Sequence, residues 1–252
     1  HGIPVAVETK AENGFRLTRA MLEAKVSPRT KVLMLNFPNN PTGAVMLRSD
    51  LEDITAFVRE HDLLVITDEI YAELTYDNPH TSIVSLPGMR ERTLFLHGFS
   101  KAWAMTGFRL GYACGPAELI DAMMRVHQYT MLCASSVAQK AALEAITRRE
   151  ADVGEMVAEY RRRRNYMVNS FAEMGIACHR PLGAFYAFPS IAQFGLSSKD
   201  FAMRLLQEEK VAAVPGTAFG ACGEGFLRCA YATSLANIEE AMVRLKRFIS
   251  RL

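Results

Sequence analysis

The sequence predicts an α/β protein: a doubly wound, mostly parallel sheet over residues 1–165, then a smaller α+β domain over residues 166–252. Three observations carry this. Apolar runs of strand length alternate with amphipathic runs of helix length through the first half, as in the strand–helix–strand crossovers of a parallel sheet. From Pro116 onward the pattern is helical. In the last third short strand-like runs return, separated by glycine and proline turns.

Taken in order, residues 3–7 form a short β-like run, Asn13-Gly14 makes a turn, and residues 18–26 have a short helix's pattern. Ser27-Pro28 breaks that helix. Residues 31–36 are an apolar strand of the kind buried in parallel sheets. A rigid turn follows, residues 36–43, with three asparagines and two prolines. Residues 50–61 are amphipathic, with Leu51, Ile54, Phe57 and Val58 on one face and Ser49 as the expected N-cap. Residues 63–67 are the next buried strand, ending on Asp68-Glu69-Ile70-Tyr71, and residues 93–96 and 109–113 are two more. Helices are expected over 117–129, 136–147 and 151–174. In the last of these, Arg161 to Arg164 point all round the helix, so they read as a solvated, partly ion-paired stretch and not as one basic face. Arg164 falls on the apolar stripe and is expected to snorkel or to pair between domains. The last third gives strands at 181–188, 211–214 and 226–232, a loop at 216–220, and helices at 200–209 and 238–249.

Bulk properties narrow the function. The 252 residues fit one large domain or two modest ones, and a 50% hydrophobic composition allows a sizeable core. A net charge of +2 argues for neither nucleic acid nor a membrane surface as partner. Five scattered cysteines without a Cys-x-x-Cys read as reduced, mostly buried thiols of a cytoplasmic protein, with no metal site. No apolar run reaches the ~20 residues that cross a bilayer. No Gly-x-Gly-x-x-Gly follows a strand, which argues against a nicotinamide dehydrogenase.

The stretch from His97 to Tyr112 holds one lysine, Lys101, among small, apolar and aromatic residues, and the next charge is Arg109. Burial disfavours a lysine's ammonium form, and the neutral amine is what a Schiff base requires. Asn40, Asp68 and Lys101 each lie just after a predicted strand end, where open parallel sheets bind ligands. With Tyr71, Arg109 and Arg228 they form a set suited to one chemistry. A pyridine cofactor linked to lysine needs a carboxylate at its ring nitrogen and donors at its phenolic oxygen. It also needs a cation for its phosphate and a forked cation for the substrate carboxylate.

At these residues the chain resembles the class I/II aminotransferases of the fold-type I pyridoxal-phosphate enzymes. Their Asn-Pro-Thr-Gly stands at Asn40 to Gly43 and their Asp-x-x-Tyr at Asp68 to Tyr71. Their Ser-Lys stands at Ser100-Lys101, followed by Gly-x-Arg-x-Gly at Gly107 to Gly111, and their late arginine strand is Phe226-Leu227-Arg228. Signatures at Pro181 to Tyr186 and Pro215 to Gly220 also match. The resemblance implies pyridoxal 5'-phosphate as cofactor, amino acids and 2-oxo acids as substrates, and a homodimeric full-length parent. It implies that Lys101 binds the cofactor covalently and moves the substrate proton. Asp68 would pair with the pyridinium, Tyr71 and Asn40 would bond the phenolic oxygen, and Arg109 would bind the phosphate. Ser100 would join the cofactor-binding set, and Arg228, with Asn40, would hold the substrate α-carboxylate.

Two departures qualify the resemblance. Many relatives carry a serine three residues before the lysine, and here that residue is Gly98. The family's N-terminal portion, with its phosphate loop, stacking ring and partner arm, lies upstream of the matching region. The chain therefore reads as the C-terminal portion of a larger enzyme, with an incomplete large domain, inactive by itself. Alternatives are a same-fold lyase or decarboxylase, or the cofactor-sensing domain of a DNA-binding regulator.

Overall fold

The computed structural model describes residues 2–148 and 150–252. The chain divides into two compact units, His1–Pro38 with Val45–Glu155, and Asn39–Ala44 with Met156–Leu252.

In the first unit the Thr18 hydroxyl accepts the Met21 N–H at 3.4 Å and starts helix α1 (Arg19–Glu23). Strand β1 (Val32–Asn36), helix α2 (Arg48–Glu60), strand β2 (Leu64–Asp68) and strand β3 (Thr93–Gly98) follow. Strand β4 (Gly111–Cys114) closes a sheet of order β1-β2-β3-β4, parallel through β3 and antiparallel between β3 and β4. The connection from Gly98 to Gly111 contains a 3-10 turn and no crossover helix, and β4 returns antiparallel beside β3 as a hairpin does. Helices α3 (Ala117–Thr130), α4 (Ser136–Arg148) and α5 (Glu150–Glu173) follow, and both the unit boundary and the expected 165/166 division fall within α5.

The core lies on one face of the sheet. Leu51, Ile54, Phe57 and Val58 of α2 pack there with Leu35, Leu63, Val65, Ile83, Leu86 and Met89. Burying a side chain of this kind contributes about 1.5–3 kcal/mol. Residues 31–36 are therefore not buried on both faces as expected. Val32 and Met34 point to the other face, 41% and 74% exposed, and Leu64, in register with Val32, is 38% exposed.

Three further expectations change. Residues 3–7 form no strand, because nothing among the described residues pairs with them, and Ile3 and Val5 are exposed. Ser49 is not the N-cap of α2. The helix begins at Arg48, two residues earlier than expected, and the Asp50 carboxylate accepts the Leu47 N–H at 2.9 Å. The cysteines are free, but Cys114, Cys133 and Cys222 are exposed, so the thiols are not mostly buried.

The second unit contains strand β5 (Tyr186–Ala187), helix α6 (Ser198–Glu209), strand β6 (Val214–Pro215), strand β7 (Leu227–Ala230) and helix α7 (Leu235–Ile249). The strands form a small antiparallel sheet of order β5-β7-β6. They are shorter than the sequence suggests, and the expected loop at 216–220 contains a 3-10 turn. Ser197 and Ser234 cap α6 and α7, and Phe201 and Phe248 meet edge to face between these helices at 5.1 Å. Glu209 ends α6 almost fully buried, where the helix dipole disfavours an anion. Hydrogen bonds from Arg247 and Arg251 hold it there and depress its carboxyl to about 2. Arg162 and Arg163 pair with Glu159, as a solvated stretch should. Arg164 does not snorkel: it is 1% exposed and donates to the Pro181 carbonyl at 3.0 Å and to Asn165.

Candidate active site

The residues singled out from the sequence fall into two groups, one in each unit. In the first, parallel pairing aligns the ends of neighbouring strands. Asn36 ends β1 opposite Asp68, which ends β2 and faces Leu96 of β3. The Asn36 amide donates to the Asp68 carbonyl at 3.4 Å. Asp68 is half-buried, and one carboxylate oxygen accepts the Ile70 N–H at 3.1 Å. Its other oxygen makes no hydrogen bond among the described residues. Three residues on, Tyr71 is buried, and the Lys101 ammonium lies 5.6 Å from its ring centroid. The structure thus brings Tyr71 and Lys101 together, beside the strand end that carries Asp68.

The lysine loop has the apolar support expected of it. Phe99, Met105, Ala142 and Ala145 form a small core against which Trp103 and Leu110 pack. The Met105 N–H returns to the Phe99 carbonyl at 3.1 Å, and the Ala104 N–H to the Lys101 carbonyl at 3.3 Å. Lys101 and Ser100 are half-buried at the mouth of this loop. Arg109 is exposed, in a left-handed conformation (φ 52°), and donates to the Thr106 carbonyl at 2.9 Å. Gly98 stands opposite Gly111 in the β3–β4 register. A Cβ there would lie 3.0 Å from the Leu110 carbonyl oxygen and 3.1 Å from Ile70 Cδ1, so the backbone is crowded at this position.

Two buried polar residues beside this group have no sequence-based expectation attached. Glu69 is 2% exposed and accepts hydroxyls from Thr67 at 3.0 Å and Ser82 at 2.9 Å, with His80 Nε2 at 2.5 Å. His97 accepts the Gly98 N–H on Nδ1 at 2.7 Å, so its proton sits on Nε2, 3.1 Å from Glu73. Burial, and secondarily the Glu73 carboxylate, raise the pKa of the neighbouring Tyr112 phenol. Glu69 directly follows Asp68 in the sequence, but only its distant partners mark it as more than a surface acid.

The second unit holds Asn40 and Arg228. Asn40 sits in a tight segment where the Gly43 N–H bonds the Asn39 carbonyl at 2.9 Å and the Asn39 side chain accepts the Thr42 hydroxyl at 2.8 Å. The Gly43 carbonyl accepts the N–H groups of Leu182 and Gly183, which fastens this segment to the Pro181-Leu182-Gly183 turn. Arg228 lies on the central strand β7 and donates Nη1 to Asn40 Oδ1 at 3.1 Å. Its guanidinium carbon is 4.7 Å from the Tyr186 ring centroid and 4.9 Å from that of Phe219. Its Nε is buried and has no hydrogen-bond partner among the described residues. The two rings carried no expectation, although both lie inside the signatures noted in the sequence.

Among the described residues no group of His, Cys, Asp and Glu could hold a metal ion, and no helix is long and apolar enough to cross a membrane.

The predicted lysine and carboxylate thus lie at adjoining strand ends of one sheet, and a ring-flanked arginine lies on a second, smaller sheet. Comparison with known proteins identifies the family. The aminotransferase class I and II family matches residues 1–245, and the chain belongs to that family. It is 54% identical over 250 residues to a putative aminotransferase, YugH, of Bacillus subtilis, covering 99% of this chain and 65% of that protein. To aromatic-amino-acid aminotransferase 2 of Thermococcus litoralis it is 46% identical, covering 98% of this chain and 64% of the relative. Among solved structures, an aromatic aminotransferase from Pyrococcus horikoshii superimposes with a TM-score of 0.96 at 45% identity, covering 98% of this chain and 67% of that one. The chain thus spans about 65% of the length of the first of these relatives.

Proposed function

We propose that the whole protein is a pyridoxal-phosphate-dependent aminotransferase that moves an amino group between an amino acid and a 2-oxo acid. The observation that carries this reading is the lysine–tyrosine pair beside the Asp68 strand end. An amine rests over a phenol ring, and a carboxylate keeps one oxygen uncommitted. The donor set fits the cofactor: a carboxylate for the ring nitrogen, an amine for the aldehyde, a phenol for the ring oxygen and an arginine for the phosphate. When bound, the cofactor supplies an electron sink for the substrate Cα carbanion.

The chain's own residues do the rest. Lys101 holds the cofactor and carries the substrate Cα proton as the general base. The Asp68 carboxylate holds the ring nitrogen protonated. Tyr71 and Asn40 donate to the ring oxygen, while Ser100 and Arg109 bind toward the phosphate. Arg228 orients the substrate by its α-carboxylate, and the buried, unpartnered Nε supports that role, because such a group favours an anion that satisfies it. We extend the reading to a cytoplasmic homodimer, on the scattered reduced cysteines and the resemblance noted in the sequence.

The test is to load the protein with pyridoxal phosphate, reduce with borohydride and map the modified lysine. Label on Lys101, with exchange between an amino acid and a 2-oxo acid that Lys101→Ala abolishes, supports the reading. Label confined to another lysine overturns it.

A further inference from the structure

We propose that Tyr186 and Phe219 are positioning residues that clamp the Arg228 guanidinium from both sides, so that only its in-plane edge can take a ligand and that edge is held ready for a forked, two-oxygen anion. This rests on the reading of Arg228 as the carboxylate-binding group.

The small sheet builds the clamp. Arg228 is on the central strand β7, Tyr186 on its neighbour β5, and Phe219 in the 3-10 turn directly after its other neighbour β6. The registers Tyr186 with Ala230 and Val214 with Arg228 place a ring source on each side of the arginine. The Phe219 turn is itself held. Its first residue, Gly216, donates to the Phe226 carbonyl at 2.8 Å. A Cβ on Gly216 would fall 2.0 Å from the Gly223 carbonyl oxygen, so two glycines let the backbones touch. Phe188 meets Phe219 edge to face at 6.4 Å and stacks on Phe226 at 5.0 Å, which backs the ring.

The physical consequence is directional. Rings on both faces attract the cation and exclude water from those faces. Hydrogen bonds then leave the guanidinium only within its plane. Asn40 takes Nη1, and Nε has no partner among the described residues. A carboxylate is planar and forked, so its two oxygens match such an edge. Holding a flexible side chain before binding removes an ordering cost of about 0.5–1.5 kcal/mol, or roughly two- to twelvefold in affinity.

The experiment follows the labelled Arg228 Nε–H by NMR during titration with pyruvate, with the uncharged methyl pyruvate as control. In the unaltered chain the Nε–H signal should be visible and shift with pyruvate alone. In Phe219→Leu, and independently in Phe219→Met, pyruvate should bind on the order of tenfold more weakly. Phe219→Tyr and Tyr186→Phe, which keep the rings, should behave like the unaltered chain. Unchanged α6 and α7 amide signals report that the variants fold. Unaltered pyruvate affinity in both ring-deleted variants overturns the clamp while leaving the carboxylate role intact. No response of the Nε–H to pyruvate in the unaltered chain overturns that role and the clamp with it.

Discussion

Gly43→Ala should unfold the segment that carries Asn40, and the structure sets the size of the effect. Gly43 has φ 68°, a conformation that costs a residue with a Cβ about 1–2 kcal/mol. The added methyl would lie 2.3 Å from Pro181 Cβ and 2.8 Å from the Tyr186 carbonyl oxygen, so two fixed backbones must part. Overpacking of this kind typically costs about 1–3 kcal/mol. The two contributions are largely independent, which gives a destabilisation of about 2–5 kcal/mol. Amide exchange at Leu182 and Gly183 reads it locally, because both N–H groups bond the Gly43 carbonyl. Urea unfolding reads it globally, with a midpoint lower by about 1–2 M. The matched control is Gly154→Ala in α5, where nothing lies within 4 Å of the new Cβ. That variant should gain about 0.5–1 kcal/mol from helix propensity. If Gly43→Ala lies within about 1 kcal/mol of the unaltered chain, the close approach to Pro181 is not what holds the Asn40 segment.

Other consequences can be measured directly. Because Arg247 and Arg251 depress Glu209 to about 2, its ionised form stabilises the fold above the ordinary carboxylate range, and this is lost as pH falls from about 4.5 through 2. Glu209→Gln should therefore lower the melting temperature at neutral pH, with the difference shrinking through that acid window; a constant difference down to pH 2 would show that charge is not the cause. Burial raises the Cys178 and Cys229 thiols to about 12, so at pH 8 iodoacetamide should label the exposed Cys114, Cys133 and Cys222 first. Equal labelling of all five, followed by mass spectrometry, would contradict the burial. Asp68→Asn keeps the shape and removes the charge, so cofactor attachment at Lys101 should persist while amino transfer slows in single-turnover kinetics. Equal slowing of attachment and transfer would argue against the ring-nitrogen role.

Much of this protein was written locally. Strands β1 to β3 and helix α2 declare themselves through short apolar runs and a helical stripe, because secondary structure answers to neighbours a few residues away. The same local patterns put Asp68 at a strand end and Lys101 in an apolar loop, before any packing is known. The order of Asn40, Asp68, Tyr71, Lys101, Arg109 and Arg228, with the spacing between them, is enough to raise the family. Tertiary structure decided what depends on distant partners. Met34 looks like core in the sequence and is exposed, because which face of a sheet is covered depends on other elements. Arg164 lies on the apolar stripe, where the sequence suggests snorkelling or pairing between domains, and it is buried, because the Pro181 carbonyl and Asn165 receive its hydrogen bonds. Glu69 looks like an ordinary acid until Ser82 and His80 come back to meet it. Arg228 was legible as a charge within a strand, but its rings come from positions 186 and 219, on the flanks of a sheet whose strand order no local pattern states. Local preference selects the elements, whereas pairing across the chain selects which side chains meet, and the chemistry of Arg228 depends on the latter.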